Sequence, residues 1–459
     1  MDKEGKKRSS KEKGNSLPPR RGQIKGKIFE DWKETLWGGG KRDDDHCGTS
    51  AIVFAPAAAS GGCGGVASFS NKAVVSSFGI AFDIDGVILR GTTPIGNSRR
   101  ALRRLYDDSG AMNIPFLFLT NGGGIPESRR ASELSDILGV KILASQVVQG
   151  HSPFRTLLKR YENEFIVATG KGEPAVVMSE YGFKRVISLE EYASQFKNID
   201  PVAQYKRWTT EQELNCSRNS EKIASSHIDC SQKVKAAFVV SDPVDWGRDI
   251  QVLCDILTSG GVPEEENGQQ PPLYFAADDL QYQAAFPSER LGMGAFRIAL
   301  ESVFNRIHDK PLEYTSFGKP NPFVFSNAEM ILRQLLQFPT PGNVGTEDVR
   351  LPSFKTLYMI GDNPLVDVKG AQQAGYPWFS ILTRTGVFRQ RENHTQYPAD
   401  MSFFTWFSRR LLVSYHDHMV LHFVFHPCAL WSEHSEVVDT VEEAVEFILK
   451  REDASYVVD

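Results

Sequence analysis

Three apolar runs in this chain each end in reactive side chains at a turn, and that order leaves few folds open. Residues 80–90 read Ile-Ala-Phe-Asp-Ile-Asp-Gly-Val-Ile-Leu-Arg. An extended run alternates its side chains, so Asp83 and Asp85, two apart, leave its end on the same side. Gly86 lets the backbone turn sharply behind them. Two carboxylates this close repel unless a cation or a proton sits between them. The pair therefore suits a metal-assisted nucleophile with a neighbouring acid or base.

Alone, Asp-x-Asp is a weak signal, because metal-dependent glycosyltransferases also use one. Three more signals follow in order. Residues 114–121, Ile-Pro-Phe-Leu-Phe-Leu-Thr-Asn, form a second buried-looking strand that ends in Thr120 and Asn121, before Gly122, Gly123 and Gly124. Residues 317–322, Phe-Gly-Lys-Pro-Asn-Pro, set Lys319 in a turn ahead of a helical run. Residues 356–367 end a third strand at Gly361-Asp362, with Asp367 five residues later. Each is a hypothesis that its context must confirm.

Between these signals the pattern alternates strand and helix. A strand at 79–84 is followed by a helix over 97–108, a strand at 114–119 and a helix over Glu127–Leu138 that stops at Gly139. That alternation predicts an α/β fold built on a doubly wound, Rossmann-like parallel sheet, which binds ligands beyond the carboxyl ends of its strands. The 197 residues between Asn121 and Lys319 exceed any loop. They contain strands at Phe165–Ala168, Ala236–Val240 and Leu273–Ala276 and helices near Glu173–Glu180 and Ile250–Leu257, so an inserted α/β cap domain is expected. The resulting division is an N-terminal region 1–78, core 79–145, cap 146–285, core 286–400, an atypical insertion 401–434 and a C-terminal core helix and tail 435–459. The chain is expected to re-enter the core through Gly292–Phe304, then the helix Pro322–Leu336. Asp242, Asp245 and Trp246, after the strand at 236–240, either face the core site or form a surface turn, and the turn is favoured.

The four motifs together resemble the haloacid dehalogenase (HAD) superfamily of phosphohydrolases. The long gap after the second motif resembles class IIA, the large-cap subclass of nucleotide and sugar-phosphate phosphatases. Phe-Asp-Ile-Asp-Gly-Val-Ile-Leu-Arg-Gly, Ala284–Phe296 and Ser316–Phe323 are most similar to the mitochondrial HAD-like hydrolases of the cat-eye-syndrome critical region type. The likeness covers about residues 79–400 and 436–450. Gly122–Gly124 departs from the more polar residues common there, either to let a phosphate approach the backbone or to form a flexible turn.

The resemblance implies a Mg²⁺-dependent phosphatase that cleaves a small phosphomonoester through an aspartyl-phosphate. Asp83 would be the nucleophile and a metal ligand, and Asp85 the acid and base, with its backbone carbonyl at the metal. Asp362 would complete the protein ligands. Asp367 would orient a metal water or Lys319, or else cap the helix near Lys369–Ala374. Thr120 and the Asn121 amide would hold phosphate oxygens, and Lys319 would neutralise charge. A dehalogenase lacks the second acid, so Asp85 argues against that chemistry. The remaining alternative is a catalytically weak or inactive HAD-fold binding protein linked to mitochondrial phospholipid metabolism.

Composition narrows the partners. Net charge is −5, which argues against a dedicated nucleic-acid binder. The six cysteines are scattered without Cys-x-x-Cys, as in a reduced, intracellular chain. No eighteen-residue apolar run exists, so no transmembrane helix is expected. The implied partner is a small phosphorylated metabolite, with pairing of two copies through the cap left open. The first 78 residues join a Lys/Arg-rich start to an Ala/Gly/Ser-rich stretch, and read as a disordered tail or a transit peptide. Asp2, Glu4 and Glu12 count against a clean transit peptide; the resemblance points to the mitochondrion, with cytoplasm or plastid as alternatives. His418, His422 and His426 recur at i+4, a spacing zinc sites use, but an insertion without a metal role is the favoured reading.

Overall fold

In the computed structural model, residues 77–206, 232–263, 268–336, 353–400 and 437–455 are described. All fall in the unit that spans Lys72–Asp459. The N-terminal region to residue 76, on which the tail or transit-peptide expectation falls, the insertion at 401–434 with its histidines, and most of the polar loop at 208–233 lie outside the described residues.

Along the chain come β1 (Phe78–Phe82), α1 (Ser98–Arg103), β2 (Phe116–Leu119), α2 (Glu127–Leu138) and β3 (Val147–Val148). Then follow β4 (Ile166–Thr169), α3 (Pro174–Glu180), β5 (Val186–Ser188), β6 (Ala236–Val239), α4 (Trp246–Ser259), β7 (Leu273–Phe275), α5 (Met293–Ile307) and β8 (Thr315–Ser316). The chain ends with α6 (Pro322–Leu335), β9 (Thr356–Gly361), α7 (Lys369–Ala374), β10 (Trp378–Leu382) and α8 (Val441–Ser455). Two five-stranded sheets result, in the orders β10-β9-β1-β2-β3 and β8-β7-β6-β4-β5. Every pairing within them is parallel.

The core sheet is apolar on both faces because helices cover both. Phe78, Ile80 and Phe82 of β1 pack with Ala101 and Leu102 of α1, Ala131 and Leu134 of α2, and Val441, Ala444 and Ile448 of α8. The alternate residue, Ala81, joins Leu117 and Leu119 of β2 against Val324, Phe325, Ala328 and Leu332 of α6 on the other side. Period-2 strands meeting helical stripes on each face are what a doubly wound sheet requires. Phe325 is fully buried against Trp378, with ring centroids 5.1 Å apart, so Phe325→Ala is expected to cost about 3–5 kcal/mol. Helix α2 stops where Gly139 takes φ 70°, a conformation that favours glycine.

The second sheet is larger than the sequence indicated. Val147 and Val148 pair with Phe118 and Leu119, so the core sheet runs past the expected boundary at 146. At the other end, β8 pairs with β7, and Met293, Phe296, Leu300 and Phe304 of α5 join the cluster around Phe238 and Phe275. The Phe296 ring meets Trp246 of α4 edge-on. Residues 286–316 therefore belong with the inserted sheet, and the chain re-enters the core at Phe317–Lys319 instead of through Gly292–Phe304. The spacing of α5 defines an apolar stripe but carries no information about which of two sheets it covers.

Candidate active site

All the sequence-predicted site residues except Asp367 stand just beyond the ends of core strands or in turns facing them. Together, Asp83, Asp85, Thr120, Asn121, Lys319 and Asp362 line one cavity, with Asp367 behind Lys319. Asp83 follows β1, and its Oδ1 lies 3.0 Å from Lys319 Nζ. The same ammonium donates to Asp367 Oδ1 at 2.6 Å. Asp367 Oδ2 accepts from the Asn363 amide at 3.0 Å, so Asp367 braces its own turn and Lys319 instead of capping α7. Asp362 Oδ2 accepts from the Val387 amide at 2.6 Å. Gly86 (φ 91°) and Gly386 press their backbones on Asp362, and a Cβ at either would collide with its carboxylate. Lys319 is a buried residue rather than a solvated one.

Carboxylate oxygens of Asp83, Asp362 and Asp367 lie within 4.8 Å of one another. The Asp85 side chain is not in that group and is half-buried. Burial raises Asp83 above the usual carboxylate range, against the pull of Lys319. Burial and the charges of Asp83 and Asp367 push Asp362 well above it. Burial takes Asp367 to about 6, opposed by Lys319. Burial also works against the Lys319 charge, but Asp367 and Asp83 outweigh it and raise that group. Lys319 alone cannot balance Asp83, Asp362 and Asp367, which leaves a deficit of positive charge among them. A buried, hard-oxygen donor set with excess negative charge fits a divalent cation such as Mg²⁺.

The turn after β2 supplies the rest. Thr120 is buried, and its Oγ1 accepts from the Gly122 amide at 3.0 Å. The Asn121 side chain, for which the sequence suggested no use, clamps the lysine turn: its Oδ1 accepts from the Lys319 amide at 2.8 Å, and its Nδ2 donates to the Lys319 carbonyl at 3.0 Å. The same Nδ2 donates to Asp279 Oδ1 at 2.9 Å.

Asp279 was missed by sequence reasoning, and so were the other cap residues over the site. Lys171, Gln281, Tyr282 and Met293 line the same cavity as Asp83. Asp242 lines it too, paired with Lys171 at 2.8 Å, so the favoured surface-turn reading fails for this residue. Asp245 instead caps α4 through the Arg248 amide and pairs with Lys206. The Asp279 carboxyl is pushed up to about 8 by burial, against Lys319 and Asn121. For Asp85, burial raises the carboxyl while Arg130 and Lys171 oppose it. The cap leaves a cavity of about 40 Å³, room for roughly three waters.

Residues 80–184 match the family described as haloacid dehalogenase-like hydrolase, and residues 316–404 match one described as HAD-hydrolase-like. A mitochondrial hydrolase of Saccharomyces cerevisiae is 31% identical over 330 residues, 68% of this chain and 88% of the relative. A cardiolipin synthase (CMP-forming)/mitochondrial hydrolase fusion protein of Schizosaccharomyces pombe is 33% identical over 337 residues. That match spans 72% of this chain but about half, 52%, of the fusion protein. Among solved structures, NagD of Escherichia coli K-12 aligns with a TM-score of 0.40 at 15% identity, covering 67% of this chain and 88% of NagD.

Proposed function

The chain belongs to the haloacid dehalogenase-like hydrolases, and from that premise we propose that it is a Mg²⁺-dependent phosphatase of small phosphomonoesters. The observation that carries this reading is the convergence of Asp83, Lys319 and Asp362 in one buried, cap-covered pocket, with Lys319 Nζ 3.0 Å from the Asp83 carboxylate.

Asp83 would attack phosphorus, forming an aspartyl-phosphate as the P–O bond to the leaving alcohol breaks. Asp85, raised by burial, holds a proton more readily than an exposed acid and would deliver it to the leaving oxygen. The same carboxylate would then take a proton from the water that cleaves the aspartyl-phosphate, which restores Asp83. Thr120 and the Asn121 amide would hold phosphoryl oxygens, while Lys319 offsets charge on the nucleophile and the phosphoryl group. Asp83, Asp362 and the Asp85 carbonyl would hold Mg²⁺, with Asp367 orienting Lys319. When bound, the ion screens the repulsion between anionic nucleophile and anionic phosphate.

The cavity is tight for a whole substrate, and cap movement would widen it for entry. Lys171, Asp242, Gln281 and Tyr282 would meet the leaving group, and their polarity suits a hydroxylated or charged one. The relatives' names support a mitochondrial setting, and a panel of small phosphomonoesters is the first to test. Among the described residues no helix is long and apolar enough to cross a membrane.

The test is phosphate release from that panel, with and without Mg²⁺, by the full chain and its Asp83→Asn variant. Metal-dependent turnover that vanishes in the variant is expected. Turnover that survives Asp83→Asn would sink the mechanism.

A further inference from the structure

The glycine turn after β2 has a second face, away from the acids, and the cap rests on it backbone to backbone. The Gly124 carbonyl accepts from the Glu173 amide at 2.7 Å. A Cβ on Gly124 would collide with the Lys171 carbonyl, and one on Gly172 with the Gly124 carbonyl. Arg129 of α2 pairs with Glu173 at 2.6 Å beside this contact. The third side is closed by His151, in the connection from β3 to the cap. A Cβ on Gly123 would lie 2.5 Å from its Cδ2 and 3.0 Å from its Nε2. The glycines are there because three backbones and a ring meet at van der Waals distance.

His151 is fully buried and held from behind by a chain of polar groups. Its Nδ1 lies 2.6 Å from the hydroxyl of Tyr181, which follows α3 in the cap, and that hydroxyl donates to Glu127 at the start of α2 in the core. Ser152 and Arg155 also donate to Glu127, at 2.7 and 3.0 Å. Burial works against the Glu127 charge, but the Arg155 guanidinium and the hydroxyls of Tyr181 and Ser152 outweigh it and keep the carboxyl below its usual range. With Glu127 ionised, Tyr181 gives it its single proton and must accept from His151 Nδ1–H. Nε2 lies beside Gly123 and makes no close hydrogen bond among the described residues, although the Ile125 backbone also acts on the ring. Burial holds the imidazole down to about 4, so the ring is neutral near pH 7.

We propose that His151 is a positioning residue: locked by Tyr181 and Glu127, it sets Gly122–Gly124 against the cap loop Gly170–Glu173, so that the phosphate-holding turn takes its working shape only under the closed cap. Only the identity of the anion held there rests on the phosphatase reading; the imidazole, the turn and the cap loop meet whatever the reaction.

Hydrogen exchange on the full chain tests this, read at the hydrogen-bonded amides of Gly122, Gly150 and Glu173 around the turn in wild type, His151→Phe, His151→Gln and Tyr181→Phe. Measurements are made without ligand, then with Mg²⁺ and orthovanadate. Exchange at the three amides should rise together by about tenfold in His151→Phe and Tyr181→Phe, the scale of one buried hydrogen bond. Amides in β1 and β9 should not move, and His151→Gln, which keeps a donor for Tyr181, should stay near wild type. Tyr181→Phe keeps the ring and loses one hydroxyl, so it carries the test if His151→Phe does not fold. Vanadate should protect all three amides at once in wild type and bind about tenfold more weakly to Tyr181→Phe. Unchanged exchange in Tyr181→Phe, or a rise spread evenly along the chain, would overturn the proposal. A wild type that ignores vanadate yet shows the coupled rise in its variants would sink the phosphatase reading and leave the role of His151 standing.

Discussion

Lys319 Nζ lies 2.6 Å from Asp367 Oδ1 in a fully buried ion pair, and Asp83, Asp279 and Asp362 crowd the same space. Removing this cation from among Asp83, Asp362 and Asp367 leaves buried charge uncompensated, which typically costs about 3–5 kcal/mol. Lys319→Met should therefore lose turnover and also unfold at markedly lower urea in metal-free buffer at pH 7.5. Equal urea midpoints for variant and wild type would show that the acids are already neutral without Lys319.

The opposite sign is expected at Asp362. Its carboxyl is raised by burial and by Asp83 and Asp367, so in the absence of metal its charge opposes folding. Asp362→Asn should therefore raise metal-free stability, read as a higher urea midpoint than wild type at pH 7.5. Wild type should gain melting temperature on adding Mg²⁺, because a ligand of the folded state stabilises it by mass action. The variant should lose most of that gain. A variant that still responds to Mg²⁺ like wild type would place the ion elsewhere.

Asp279 sets a pH dependence. Its carboxyl titrates near 8 in the folded protein against an ordinary value of 3.8. Between these values the folded state keeps a proton that the unfolded chain has released. Its contribution to stability is thus complete below pH 4 and is lost as pH rises through 8, at up to about 1.4 kcal/mol per pH unit. Asp279→Asn, uncharged throughout, should flatten the metal-free stability profile between pH 5 and 8. Parallel profiles for the two proteins, from urea titrations at each pH, would refute this.

What the sequence revealed and what it hid follow from how local each feature is. Asp83, Asp85, Thr120 and Asp362 are legible because strand, turn and reactive group lie within a few residues of one another. The stop of α2 at Gly139 is legible for the same reason. Asp279 and His151 gain their meaning only from Asn121 and Gly123, which lie far off in the chain and near in space. Strands β5 and β8, three and two residues long, are too short to show an alternation. The open question about Gly122–Gly124 needed the Lys171 carbonyl, which no pattern along the chain places against Gly124.

Asp85 separates the two half-reactions. As an acid it matters only when the leaving oxygen needs a proton, whereas as a base it is needed for every substrate in the second step. Asp85→Asn should slow hydrolysis of an alkyl phosphate by about 10²–10⁴-fold. With p-nitrophenyl phosphate, whose leaving group departs as a stable anion, formation of the aspartyl-phosphate should remain fast while its hydrolysis stalls. Rapid mixing should then show a burst of nitrophenolate equal to the enzyme concentration, followed by a slow steady state. Equal slowing of both substrates with no burst would remove Asp85 from proton transfer and leave it only a structural role beside Asp83.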